Sequence, residues 1–216
     1  MTLSQAPQQL EPQNFFDVIR ERHSVRSYDT SVIIPREELT EMLELAALAP
    51  SSANMQSWRF LIIDSPELKQ KLLPIAFNQQ QIIEASAVIT VLGDLESNKK
   101  AAEIYGQAVK AGLMPEETAN MFVERIQTRS SEDSRRAAFI DCGLISMQLM
   151  LIARAKGFDT VPMGGYDKAA FMEAFGVSDR YVPIMLIAIG KAAKPGHTTT
   201  RLPIENVMFF NEMPQV

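Results

Sequence analysis

The chain has 216 residues, 46% of them hydrophobic, and carries a net charge of −5. That is enough apolar matter for one sizeable core, and it lacks the basic footprint of a nucleic-acid binder. A single cysteine, Cys142, excludes an internal disulfide framework and suits a reducing compartment, while two histidines, His23 and His197, are too few for a usual zinc site.

Met1–Gln13 is rich in Gln and Pro and is expected to be a flexible N-terminus; with no basic residue and no apolar run, it does not read as a leader. Asn14 is an expected N-cap, with Asp17 in the capping-box position, and Phe15, Phe16, Val18 and Ile19 follow at helical spacing. This helix ends in Arg22-His23-Ser24-Val25-Arg26-Ser27-Tyr28. Two arginine forks with a hydroxyl between them suit phosphate oxygens, although solvated charges at a helix end would look the same.

Pro35 reads as the first residue of a second helix, which must stop at Ala49-Pro50. The polar loop Pro50–Ser57 precedes a strand, Trp58–Ile63. Pro66–Leu73 is expected as a brief helix, and Ala87–Leu92 as a strand buried on both faces and ending at Gly93. Lys99–Arg129 is helical with a break at Gly112 and a restart at Pro115. A long helix is expected from about Ser134 to Lys156, closed by Gly157. Its stripe of small and apolar residues suits close helix packing, and Cys142 reads as a small buried hydrophobe within it.

Phe158–Val161 is a short expected strand running into Pro162-Met163-Gly164-Gly165, Lys168–Phe175 a helix closed by Gly176, and Tyr181–Ile189 the last strong strand. The longest apolar runs, near Val182–Ile189 and Leu149–Ala153, fall short of the roughly 20 residues a membrane helix needs. No membrane span is therefore expected, and a cytoplasmic location is. The tail from Lys191 ends in an apolar group, Val207–Phe210, of the kind that docks on something. No repeat or linker interrupts 14–216, and helices mix with strands without regular alternation; the expectation is one α+β domain.

The dinucleotide glycine fingerprint, the phosphate-loop motif and the hydrolase nucleophile elbow are all missing. The polar islands at Arg22–Arg26, Ser51–Gln56, Asn78–Gln81, Pro162–Gly165 and Arg201 instead combine cationic forks, amides, hydroxyls and a Gly-Gly backbone. That inventory suits a large, flat, polar molecule carrying a phosphate. Turn chemistry is the ordinary alternative for each island taken singly.

Arg22-His23-Ser24-Val25-Arg26, Ala49-Pro50-Ser51-Ser52-Ala53-Asn54-x-Gln56-x-Trp58 and Val161-Pro162-Met163-Gly164-Gly165, in that order, resemble the flavin-dependent nitroreductase family. The resemblance runs from about Phe15 to Arg201-Leu202-Pro203. It implies an α+β fold with a central mixed sheet flanked by helices, in an intertwined homodimer whose C-terminal tail reaches the partner. It also implies FMN bound without a covalent link and shared between subunits, with NADH or NADPH as electron donor.

By position, Arg22 and Arg201 would hold the FMN phosphate. Ser24 and Arg26 would face the flavin and ribityl side, with His23 acting through backbone and packing. A cation such as Arg26 near the N1/C2 edge would stabilise negative charge on the reduced ring. Pro50, Ser51, Ser52, Asn54 and Gln56 would come from the partner subunit. Asn78 and Gln81 would bond the ring edge or ribityl chain, and Pro162, Met163, Gly164 and Gly165 would lie along the flavin, with a glycine N–H near N5. No side chain is expected to act as catalyst and no metal is expected.

The implied chemistry is a ping-pong two-electron reduction of nitroaromatic or quinone-type acceptors, in a cleft shaped by residues around Tyr105–Phe122. The alternatives are other chemistry on the same fold, such as reductive dehalogenation or flavin breakdown, and a non-catalytic flavin-binding or storage protein. Two departures stand out: many members of the family have lysine where this chain has Thr199 and Gln81, so the cofactor would meet less positive charge here.

Overall fold

A computed structural model of the chain describes residues 14–214; the expected flexible segment 1–13 lies outside the described residues. Eight α-helices and four strands are present among them. The strands are β1 (Trp58–Ile63), β2 (Ala87–Asp94), β3 (Asp159–Met163) and β4 (Tyr181–Gly190), arranged β1-β2-β4-β3 with every neighbour antiparallel. The parallel component is a single bridge between Ser24 and Thr160 beside β3.

β2 is buried along its whole length because helices cover both faces of the sheet. Its side chains alternate, as the strand period requires. Ala87, Ile89 and Val91 join one core with Leu39, Met42, Ile145 and Leu149, from α2 (Arg36–Ala46) and α7 (Ser131–Ala155). Val88 and Leu92 join a second core with Leu72, Ile82 and Phe171, from α3 (Pro66–Ile75), α4 (Gln81–Glu84) and α8 (Lys168–Phe175). Each of the larger side chains among them contributes about 1.5–3 kcal/mol on burial. A third, smaller core joins Met55 to Tyr105 of α5 (Ala101–Lys110) and to Ala119 and Ile126 of α6 (Glu116–Gln127). It fastens the α5–α6 hairpin over the polar loop that precedes β1.

Local chemistry sets most boundaries. α1 (Phe15–Glu21) is capped by Asn14 Oδ1, which accepts from Phe16 N at 2.9 Å. Asp17 does not complete a capping box; it pairs with Arg20 at 3.1 Å. Pro35 occupies the N-cap position of α2 rather than its first turn. α7 starts three residues before Ser134, because Ser130 is the cap and accepts from Asp133 N at 3.1 Å. α3 runs two residues past Leu73, through Pro74, and the one-turn α4 was not foreseen. α8 has the expected bounds: Asp167 caps it, and Gly176, at φ 64°, ends it. By length and composition α7 is long and apolar enough to cross a membrane, since its apolar residues are spread over a helix and not confined to one run; half of its most apolar window is buried inside the fold.

Candidate flavin site

The arginine cluster lies along the β3 edge. Glu21, the last residue of α1, is held by Arg154 at 2.6 Å, and Arg154 also reaches Asp159 at the start of β3 at 3.1 Å. Val25 N then donates to Thr160 O at 3.1 Å, and Ser24 forms its bridge with Thr160. Val25 and Tyr28 point into the core, so the intervening Arg26 is left exposed and Arg22 and Ser24 half-buried. Among the described residues neither Arg22 nor Arg26 pairs with a carboxylate. His23 is occupied locally, its Nδ1 lying 2.6 Å from Glu21 O. Gly196 brings the chain back over this segment; a β-carbon there would meet His23 Cβ at 2.7 Å, so the close approach requires glycine.

At the far end of β3, Gly164 and Gly165 are exposed, and a β-carbon on either would meet nothing within 4 Å. The amides beside them form a chain. Gln79 Nε2 donates to Gly165 O at 2.9 Å, and Gln81 Nε2 donates to Gln79 Oε1 at 3.0 Å while contacting Met163 Sδ at 3.3 Å. Asn78 is exposed and, with Phe77, adopts a left-handed conformation, at φ 57° and 54°. The fold therefore gathers Arg22–Arg26, Asn78–Gln81 and Pro162–Gly165 along one strand. Gln79 was missed from sequence, although the run of glutamines around it was a signal.

The loop Pro50–Ser57 lies elsewhere. It leads into β1, at the opposite edge of the sheet from β3, three strand spacings or roughly 14 Å away. Ala53, Asn54 and Gln56 have φ of 54°, 57° and 47°, left-handed values that cost a non-glycine residue about 1–3 kcal/mol where unfavourable. Three groups hold the loop in this shape. Asp141, fully buried in α7, accepts from Ser52 N at 2.8 Å and from the Ser57 hydroxyl. Tyr105 Oη donates to Ala53 O at 2.8 Å, and Arg59 Nη1 donates to Gln56 O at 2.9 Å. Within the loop, Ser51 Oγ accepts from Gln56 N at 3.1 Å, and Pro50 and Asn54 are exposed. Asp141 could have been found from sequence as a lone carboxylate inside an apolar helical stripe.

Arg201 bonds locally in the tail: its guanidinium donates to Thr199 Oγ1 at 2.7 Å and to Thr200 O at 2.9 Å, and the tail around it is exposed. One chain thus contains two parts of the expected site on opposite sheet edges and a third in its tail. The β3 part fits a flat anionic cofactor: open glycine backbone for the ring, guanidiniums that pair with no carboxylate among the described residues for the phosphate, and amides for the edge.

The Nitroreductase family model matches residues 19–191, and the chain belongs to that family. It is 47% identical over 204 residues to "Putative NAD(P)H nitroreductase YdgI" of Bacillus subtilis, covering 92% of this chain and 98% of the relative. It is 37% identical over 205 residues to "CLA biosynthesis enone reductase" of Lactiplantibacillus plantarum, covering 91% and 94%. Among solved structures, a putative nitroreductase in complex with FMN from Exiguobacterium sibiricum aligns with a TM-score of 0.88 at 48% identity, covering 92% of this chain and 98% of that one.

Proposed function

We propose that the chain is an FMN-dependent NAD(P)H oxidoreductase that reduces nitroaromatic, quinone-type or related activated acceptors by two electrons in a ping-pong cycle. When bound, FMN would supply two-electron redox chemistry at N5, with the nicotinamide as hydride donor, the acceptor as hydride acceptor in the same cleft, and the accompanying protons exchanged with solvent. The observation that carries this reading is the open Gly164-Gly165 backbone at the end of the strand that aligns Arg22, Ser24 and Arg26. Arg22 holds the phosphate, and Arg26 and Ser24 face the pyrimidine and ribityl side. Asn78 and Gln81 meet the ring edge, with Gln79 fixing Gly165. No side chain donates or abstracts a proton in this scheme; the residues bind, orient and exclude water. The enone-reductase relative supports including α,β-unsaturated carbonyls in the acceptor class.

The remaining parts come from a second copy. Ser51, Ser52, Asn54 and Gln56 of one subunit complete the β3 site of the other, and the tail carries Arg201 across. This is supported by an apolar groove of about 850 Å³ along α7, walled by Phe139, Leu144 and Met147 together with Phe15 and Leu45, and by the exposed tail residues Val207–Phe210. Anaerobic addition of NADH or NADPH to the purified yellow protein should bleach its visible flavin bands. A yellow protein that neither nucleotide bleaches would leave only the storage reading, a colourless one that cannot take up FMN would remove the flavin site, and a folded monomer in gel filtration would remove the shared one.

A further inference from the structure

The last turn of α6 and the first turns of α7 converge beside the loop at Ser52. Arg125, Arg129 and Arg136 line one cavity of about 350 Å³ there, with Ser52 as a wall and Ile126 and Ile140 as apolar floor. The one carboxylate in the lining, Asp133, together with Glu132, is engaged by Arg136 at 3.6 Å and 3.3 Å. Arg125 and Arg129 have no carboxylate partner among the described residues. Three guanidiniums against two carboxylates, Asp133 and Glu132, both held by Arg136, leave Arg125 and Arg129 as a local excess of positive charge in a chain of net charge −5.

Arg125, in the last turn of α6, and Arg129, two residues past its end, line the same cavity, and like charges so placed repel unless an anion lies between them; Arg129 is half-buried, where the repulsion is less screened. The position is also specific. Tyr105 donates to Ala53 O and stacks on Phe122 with ring centroids 5.5 Å apart, fixing the hairpin against the loop. Burial raises the Tyr105 phenol above its ordinary range, and the nearby charge of Arg129 acts against that shift. The cationic cavity therefore opens next to Ser52, which the flavin reading places against the cofactor, and beside the hairpin that Tyr105 ties to Ala53.

We propose that this cavity is an anion subsite of the flavin cleft. Arg125 and Arg129 grip a carboxylate or phosphate on the molecule that enters, while Ile126 and Ile140 receive its apolar part. The inference rests on the flavin reading for its place in the reaction. Two sources share the chemistry: the carboxylate of an acidic acceptor, and the ribose phosphate that distinguishes NADPH from NADH. A bidentate guanidinium contact to either is worth about tenfold to a hundredfold in affinity.

The test is isothermal titration of the flavin-loaded protein and of Arg125→Gln/Arg129→Gln with two matched pairs, para-nitrobenzoate against its methyl ester and NADP⁺ against NAD⁺. The expected result is a preference of about tenfold or more for the anionic member of one pair, falling to near unity in the double variant while flavin content stays at the wild-type level. The pair that shows it identifies the source. Equal affinities within both pairs for the wild-type protein, or a preference that survives in the double variant, would overturn the subsite. Flavin content and bleaching are read on the same samples, so a failure of the flavin reading is seen separately from a failure of anion binding.

Discussion

Asp141, in the middle of α7, accepts a hydrogen bond from the backbone N–H of Ser52 at 2.8 Å, across 89 residues of sequence. Its other oxygen takes the hydroxyl of Ser57, so one buried carboxylate closes both ends of the loop that the proposed function assigns to the partner's flavin site. Hydrogen bonds to a buried charge contribute about 1.5–3 kcal/mol each. Asp141→Ala should therefore lower stability by roughly 2–4 kcal/mol in urea unfolding. It should also release FMN during gel filtration, because the left-handed backbone at Ala53 and Gln56 loses its main restraint. Asp141→Asn keeps one acceptor and should fall between. Wild-type flavin content in the alanine variant would remove the positioning role.

Arg22 stands at the exit of α1, half-buried and without a carboxylate partner among the described residues. If it binds the FMN phosphate, Arg22→Ala should weaken FMN about tenfold to a hundredfold, measured by quenching of free-flavin fluorescence on titration. Unfolding midpoints without added FMN should change little, since no ion pair within the fold is lost. Unchanged FMN affinity would refute the phosphate assignment.

At Gln81 the cofactor reading meets a neutral amide, buried and turned toward Gln79 and Met163. An ammonium in that place would favour the added electrons through space. Gln81→Lys should raise the two-electron midpoint potential by on the order of 30–60 mV, read by spectroelectrochemistry. A potential that does not move would place Gln81 away from the ring.

Most of the fold was legible where the chain commits to one pattern. β1, β2 and β4 are long apolar runs, and α8 is bounded by a capping aspartate and a left-handed glycine. Errors fell where short-range chemistry competed: Asp17 chose Arg20 over the cap, and Ser130 pre-empted Ser134 as the start of α7. The candidate site reads in the sequence only as a set of islands, because their grouping depends on strand order, which puts Arg22–Arg26 and Pro162–Gly165 on one edge and Ser51–Gln56 on the other. The bonds that Asp141, Tyr105 and Gln79 make stayed hidden because each partner is fixed only by tertiary packing; for Tyr105 and Ala53 the separation is 52 residues.

Cys142 is fully buried, and burial pushes its thiol up to about 12, with Asp141 adding to the shift. The thiolate that reacts with alkylating reagents is thus nearly absent at about pH 8. The native protein should resist iodoacetamide and label quantitatively only in denaturant, followed by mass spectrometry. Rapid native labelling would contradict the packing of α7 against β2.

Asp94, at the end of β2, is fully buried and accepts from Arg180 Nε and Nη2 at 2.8 and 2.7 Å, from Arg59 Nη2 at 2.8 Å and from Glu96 N at 3.0 Å. Burial alone would raise its carboxyl, but the bonds from Arg180 and Glu96 N, with the nearby Arg59 charge, outweigh it and hold the group below its ordinary value. A depressed folded-state pKa gives stability that is fully present above the unfolded value, near 4, and is lost as pH falls through the folded one. Urea midpoints should therefore hold from neutral pH to about 5 and fall steeply below 4. In Asp94→Asn that acid limb should flatten, at a cost of about 2–4 kcal/mol at neutral pH, since the two arginines are each about one-third exposed and can rehydrate. Arg59 also donates to Gln56 O, so protonating Asp94 loosens the left-handed loop as well as the sheet end. Flavin release should accordingly begin at or above the pH where the midpoint starts to fall. Release that lags behind global unfolding would show that the loop does not depend on the Asp94–Arg59 link.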